Sequence, residues 1–303
     1  MYYNGFVNYA NQGKNEFKTA ILFTVFLALV IGAGYVFSRV FGDVRILYGV
    51  VAFSFAMNFA SYWYSDRLVI KLAGAVPADP REYSELHDII HRVAGMAGLP
   101  VPKIFVIKDP APNAFATGRN EKHASLAFTT GLLQTLKKEE LEGVVAHELS
   151  HVGNRDILIG TVLVALVGLI SIASDFFLRF VFMKHDDRGG DSGSGLMFTI
   201  GIALSIFAPI IGTIIRLAIS RGRETLADAS GAGITHNPNG LADALGKISA
   251  YVGEVKNARN ITAHLYISNP FGPKKRGGMI RLFLTHPPIE ERIQALREMA
   301  RIG

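Results

Sequence analysis

Hydrophobic and polar positions divide this chain into blocks of two kinds. Four stretches, Thr19–Ser38, Ile46–Ser65, Ile157–Ser174 and Ser192–Ile215, contain no Asp, Glu, Lys, Arg or His. Each is about as long as a helix needs to be to cross a hydrocarbon layer of roughly 30 Å. The first lies behind a polar tail, is too long for a signal-peptide core and is followed at once by the second, so it is not a cleaved leader. The short link around Arg39–Arg45 makes the first two stretches a hairpin. Tyr62, Trp63 and Tyr64 fall where an interfacial aromatic belt is expected. The third and fourth stretches admit two readings, membrane helices or buried core helices, because Asp175 and Arg179 interrupt the apolar run between them. Pro209 is compatible with the first reading, and Lys184–Gly195 reads as a flexible polar loop.

The polar remainder shows the periodicities of folded elements. "PREYSELHDIIHRVAGMAGL" has helical spacing, with proline near its start and glycines near its end. "KIFVIKD" and "HASLAFTTG" are short and rich in β-branched and aromatic residues, as strands are. "KKEELEGVVAHELSHVGNRD" places Leu141, Val144, Val145, Leu149 and Val152 on one helical face. The segment after the fourth apolar stretch is largely helical in pattern, with a Gly/Pro-containing connection through Asn269–Gly278. The expected organisation is an N-terminal tail (1–18), a transmembrane hairpin (19–65), the first part of a polar domain (66–156), a second membrane hairpin (157–217) and the second part of that domain (218–303).

Composition narrows the chemistry. Charged residues make up 18% of the chain, below the roughly 25% of a soluble domain, and mean hydropathy is +0.28. The chain has no cysteine, which excludes disulfides, iron–sulfur clusters and thiolate metal sites. Any metal must be held by His, Asp or Glu. The net charge of +6 is better assigned to flanks of membrane segments than to nucleic-acid binding, since no basic stripe or nucleic-acid motif accompanies it.

One stretch carries a metal signal, "VVAHELSHVGNRD" (Val144–Asp156). His147 and His151 are one helical turn apart, so both imidazoles leave the same face, the geometry of two zinc ligands. Glu148 is rotated about 100° from His147 and can take a proton from a metal-held water without ligating. A third ligand is available in "SRGRETLADAS", where Glu224 would complete a His–His–Glu set. Asp228, four residues on, would then hydrogen-bond the outer nitrogen of a ligand histidine. Two candidate spans lie between His151 and Glu224, and an even number of crossings returns both to one side of the membrane. His87 and His91 are also four apart, but no Glu follows His87, and they read as surface helix residues. His185 and His264 have no partner pattern and receive no role.

With these residues in place the chain resembles the HtpX-type membrane zinc endopeptidases, relatives of the CAAX prenyl proteases. The resemblance rests on "SYWYSDRLVIKLAGA", "PNAFATG", "TTGLL", "HELSHVGNRD", "SRGRETLADA" and "LFLTHPPIEERI", in that order along nearly the whole chain. It implies a mainly α integral membrane protein with an α+β, gluzincin-like zinc protease domain, built on a small β-sheet and interrupted by a membrane hairpin. It implies one Zn2+ held by His147, His151 and Glu224, with Glu148 as general base, His286 helping to stabilise the oxyanion and Arg292 orienting the site. It further implies that Asn113, Ala114, Phe115 and Ala116 form an extended edge on which a peptide can pair as an added strand. The implied partners are unfolded or membrane protein substrates and the lipid bilayer, and no nucleic acid. The implied role is hydrolysis of misfolded or damaged proteins under stress, with some self-cleavage. Placement in the cell (inner) membrane with the active site facing the cytoplasm also follows from the resemblance, because the basic residues Lys14, Lys18, Arg67 and Lys71 are nearly balanced by Arg39 and Arg45. A prenyl-protein protease and a non-catalytic membrane scaffold remain as alternatives. A transporter does not, since no apolar stretch carries an ionisable residue.

Overall fold

The first two apolar stretches fold as long helices, α1 (Gln12–Phe41) and α2 (Val44–Leu72), in a computed structural model that describes residues 11–167, 221–258, 262–272 and 287–302. Gly42, at φ 69°, ends α1 with its N–H donating to the Ser38 carbonyl, a left-handed position that glycine adopts without a Cβ penalty. Asp43 then accepts from the Arg45 N–H and starts α2. The helices lie side by side so closely that a Cβ on Gly34 would stand 2.7 Å from Val50 Cγ1, the small-residue contact that lets membrane helices approach. Gln12–Gly32 and Val44–Leu72 have the length and apolar composition to cross a membrane. Tyr48, Phe53, Phe55 and Phe59 stand exposed along α2, a surface suited to lipid. Near its polar end Trp63 meets the Arg119 guanidinium at 4.3 Å from the ring centre, a cation–π contact at the expected aromatic belt.

Both helices run beyond their apolar stretches into the polar domain. α1 begins within the expected tail of residues 1–18, and Asn15 there and Thr19 just beyond it are buried against the rest of the chain. The end of α2 buries Val69, and Ala73 just beyond it, in a cluster with Ile107, Phe115 and Tyr266. The domain itself has strands β1 (Val76–Pro77), β2 (Lys103–Ile107), β3 (Ala114–Gly118) and β4 (Ala124–Thr129), in spatial order β1-β2-β4-β3. β2 and β4 are parallel and the outer pairs antiparallel, so the sheet is small and mixed. β2, β4 and the helix α3 (Ser84–Ala97) fall on the stretches whose patterns predict them. The two-residue β1 and the one-turn α4 (Thr130–Thr135) are too short to leave a periodic signal.

Helix α5 (Lys138–Gly153) buries all five predicted apolar positions, Leu141, Val144, Val145, Leu149 and Val152. These pack with α3, the sheet, and the later helices α7 (Arg221–Thr235), α8 (Pro238–Ala250) and α9 (Ile289–Ile302) in the main core. Between α5 and the next helix, α6 (Asp156–Val167), the chain turns by 78°. Arg155, at φ 58°, makes that corner possible, in a backbone region that costs a non-glycine residue of order 1 kcal/mol or more. α6 is the described part of the third apolar stretch, and it is buried rather than exposed. Leu158, Val162 and Leu166 pack on Phe26 of α1, and Val164 joins the Phe115–Tyr266 cluster. Asp175, Arg179, the loop Lys184–Gly195 and the stretch Ser192–Ile215 lie outside the described residues.

Candidate metal centre and active-site cleft

Helical spacing on α5 and close approach of α7 build the site. Gly231 of α7 sits against the backbone of α5, where an added Cβ would meet His147 N at 2.9 Å. That contact brings Glu224, at the start of α7, opposite the α5 histidines. One ligand atom from each of His147, His151 and Glu224 lies within 4.8 Å of the other two. The two Nε2 atoms are 3.2 Å apart, and they stand 3.8 and 3.7 Å from the Glu224 carboxylate oxygens. Two nitrogens bound to one tetrahedral zinc at 2.0–2.1 Å would be about 3.3 Å apart, so the imidazole pair already has the required spacing.

The far nitrogens explain why the rings point this way. His147 Nδ1 lies 2.9 Å from Asp228 Oδ1, and His151 Nδ1 lies 3.0 Å from Asp156 Oδ2. Each carboxylate fixes its ring so that Nε2 faces the centre. Asp156 was not singled out from the sequence, and its only signal there is an acidic residue five positions after His151.

Arg292 has a different place from a group that reaches substrate. It is buried, its Nε and Nη2 bind the two Asp228 oxygens at 2.8 and 2.7 Å, and its Nη1 donates to the Ile267 carbonyl at 3.0 Å. It therefore bears on the cleft through Asp228, consistent with orienting the site and not with a reacting role. His286 lies outside the described residues.

Electrostatics favour a cation at the centre. Burial opposes charge on His151, but the hydrogen bond it donates to Asp156 and the charges of Glu224, Asp156 and Glu148 outweigh it and lift the group to about 9. Burial holds His147 below its ordinary value. Burial also raises Glu148 to about 7, near the range suited to a proton carrier at neutral pH. Asp228 would be raised by burial alone, yet Arg292 and His147 hold it at about 2. The carboxylates of Glu148, Asp156, Glu224 and Asp228 thus outnumber the guanidinium groups of Arg223 and Arg292 around the histidines, and two nitrogens with one carboxylate form a donor set suited to zinc.

The cleft is lined by Ala116, Ile157, Gly160, Arg223, His264 and Ile267 around the histidines and glutamates. His264, given no role from sequence, stands there with Nε2 3.3 Å from the Gly160 carbonyl. β3 forms the wall beside Glu148, and its residues Ala114–Ala116 are buried, as is Asn113 just before it. The open edge expected there is largely occupied. The Ala114 carbonyl accepts from Ile267 N–H at 2.9 Å, Asn113 Nδ2 donates to the Ser268 carbonyl at 3.1 Å, and Gly118 N–H donates to Thr161 Oγ1 at 3.1 Å. Ala116 N–H donates to the Glu148 carboxylate. The physical reason is that an unpaired strand edge carries donors and acceptors that burial obliges to find partners. His87 and His91 are remote from this cluster, and His87 Nε2 lies 3.1 Å from the Ala78 carbonyl.

Two imidazoles, one buried and one partly so, and a carboxylate about one point, with a further buried carboxyl beside them, are the arrangement of a metal-dependent peptidase. Residues 80–300 match peptidase family M48, and the chain belongs to that family. It is 45% identical over 298 residues to a protease HtpX homolog of Caldanaerobacter subterraneus subsp. tengcongensis, covering 96% of this chain and 97% of the relative. A protease HtpX homolog of Thermococcus kodakarensis is 43% identical over 292 residues, covering 93% and 95%. Among solved structures, that of S. mikatae Ste24p aligns with a TM-score of 0.48 at 19% identity. The alignment covers 92% of this chain but 65% of that longer one. The chain is a membrane metalloprotease, with two candidate membrane helices and a small mixed sheet in a mostly helical fold.

Proposed function

We propose that the chain is a zinc-dependent endopeptidase of the cell (inner) membrane, working at the cytoplasmic face on misfolded or damaged proteins, membrane proteins included. The observation that carries this reading is the convergence of His147, His151 and Glu224 on one point beside Glu148. Zinc bound there would polarise the scissile carbonyl and acidify a water. Glu148 takes the proton of the attacking water and returns it to the leaving amine. Its buried carboxyl stands beside the ligand histidines, within the cleft, where it can do both. Asp228 and Asp156 hold the ligand imidazoles in place, and His286 adds a donor for the developing oxyanion.

Pairing of a peptide on β3 would require the bonds that Ile267, Ser268 and Thr161 make to that edge to open, and backbone pairing of this kind depends little on side chains. Ala116 supplies the group on that edge nearest Glu148. The proposed boundaries are a tail at 1–18, membrane hairpins at 19–65 and 157–217, and a protease domain divided between 66–156 and 218–303, which the closeness of His151 to Glu224 supports.

The test measures zinc content and cleavage of an unfolded protein in detergent for the wild type and Glu148→Gln. The expected outcome is one zinc in each protein and cleavage by the wild type alone. Zinc in both and cleavage by neither would favour a scaffold. Cleavage confined to prenylated C-terminal peptides would favour the narrower prenyl-protease reading.

A further inference from the structure

The start of the first membrane helix is tied to the metal centre. Gln12, Asn15, Glu16 and Thr19 recur at helical spacing on one face of α1, a polar stripe where an apolar helix begins. Asn15 is buried at 2% exposure. Its Nδ2 donates to Asp156 Oδ1 at 2.7 Å and to the Asn154 carbonyl at 2.8 Å. Gln12 Nε2 donates to the Gly153 carbonyl at 2.6 Å, Glu16 pairs with Arg155, and Thr19 Oγ1 donates back to the Asn15 carbonyl at 2.8 Å. The contacts of Gln12, Asn15 and Glu16 fall on the corner between α5 and α6, and that corner carries Asp156.

The two oxygens of Asp156 are used separately. Oδ2 faces His151 Nδ1 at 3.0 Å, and Oδ1 accepts from Asn15. Two cations also stand by this carboxylate, Arg223 with Nε 3.8 Å from Oδ1 and Lys18, which feels the Asp156 charge. A carboxylate can turn about its own axis, and a donor on one oxygen fixes the rotation at which the other oxygen meets the imidazole. We infer that Asn15 is a positioning residue of the metal centre, acting on His151 through Asp156, so that the first turns of α1 are part of the site's support. The inference rests on the reading of His147, His151 and Glu224 as metal ligands. It explains why a buried amide stands at the head of a membrane helix, where an apolar residue would pack without needing partners.

The experiment uses the full-length protein in detergent, with cobalt and zinc as probes. Metal affinity is measured by competition with a chromophoric chelator, and ligand geometry by the visible absorption of the cobalt-loaded protein. Folding is followed by thermal melting. Asn15→Leu keeps the side-chain size and removes the donor. It should weaken metal binding roughly 10-fold or more, within the 10- to 100-fold range for loss of such outer partners, and alter the cobalt spectrum. Glu16→Gln loosens the same corner without touching Asp156, and should leave affinity and spectrum unchanged. Asn15→Ser, a milder variant, is combined with Asp156→Asn. If Asn15 acts through Asp156, the double variant binds metal no more weakly than Asp156→Asn alone.

Unchanged metal affinity in Asn15→Leu would overturn the inference. Equal losses in Asn15→Leu and Glu16→Gln, or additive losses in the double variant, would also do so, reducing the contact to simple docking. Wild-type protein that holds no stoichiometric metal would sink the metal-centre reading, and this inference with it. Wild-type binding with an indifferent Asn15 sinks the inference alone.

Discussion

The two histidines of one helix are supported from opposite sides of the molecule. His147, its side chain 1% exposed, is held by Asp228, and Asp228 is clamped by Arg292, which also grips the Ile267 carbonyl. Every member of that chain lies in the packed core of the polar domain. His151, 15% exposed, is held by Asp156, and behind Asp156 stands Asn15 at the head of a membrane helix. The first support is a charge network buried by its own domain. The second is a neutral amide delivered by the membrane anchor. A ligand pair that helix geometry makes equivalent is thus placed at the seam between two parts of the protein, and each ligand reports on one of them.

Perturbations should separate the two supports. Glu148→Gln touches neither, so it sets the upper limit. Cleavage of an unfolded substrate should fall by about 10²- to 10⁴-fold while metal content, measured by atomic absorption, stays at the wild-type level. Arg292→Leu should come next, by leaving the Asp228 carboxylate buried without its cation. A loss of roughly 3–5 kcal/mol is expected, read as a lower unfolding midpoint whether or not metal is present. Asp156→Asn attacks the other support, and a 10- to 100-fold weaker metal affinity should appear with a much smaller change in the midpoint of the metal-free protein. If Asp156→Asn unfolded the protein as readily as Arg292→Leu, the contrast between the two sides would be lost. Gly231→Ala presses α7 off the α5 backbone at His147. It should cost about 1–3 kcal/mol and lower metal affinity by moving Glu224. The smallest effect belongs to Thr161→Val, which removes one acceptor for Gly118 N–H. About 1 kcal/mol is expected, with metal binding unaltered.

Local periodicity explains which parts of the site could be read in advance. His147, Glu148 and His151 share one helix, and 3.6 residues per turn fixes their mutual directions wherever that helix is placed. The apolar face of α5 and the lengths of α1 and α2 are legible for the same reason. Glu224 and Asp228 were reachable through their own helical spacing together with the even count of apolar stretches between them and the histidines. Asp156 and Asn15 had no such rule, because the bond between them spans 141 positions and depends on the 78° corner at Arg155. The edge of β3 shows the same limit. Its composition marked a strand, but nothing local indicated that Ile267, Ser268, Thr161 and Glu148 would take its outward-facing groups.

Sequence alone therefore determined the chemistry, a His–His–Glu set with a neighbouring base in a chain built to enter lipid. Those features rest on residue type and helical pitch, which act within a few turns. Only the tertiary structure decided what braces each ligand, that Arg292 meets the site through Asp228, and that a membrane helix begins against the residue that holds His151. These are contacts between elements far apart in sequence, set by how cores pack and by the demand of every buried polar group for a partner.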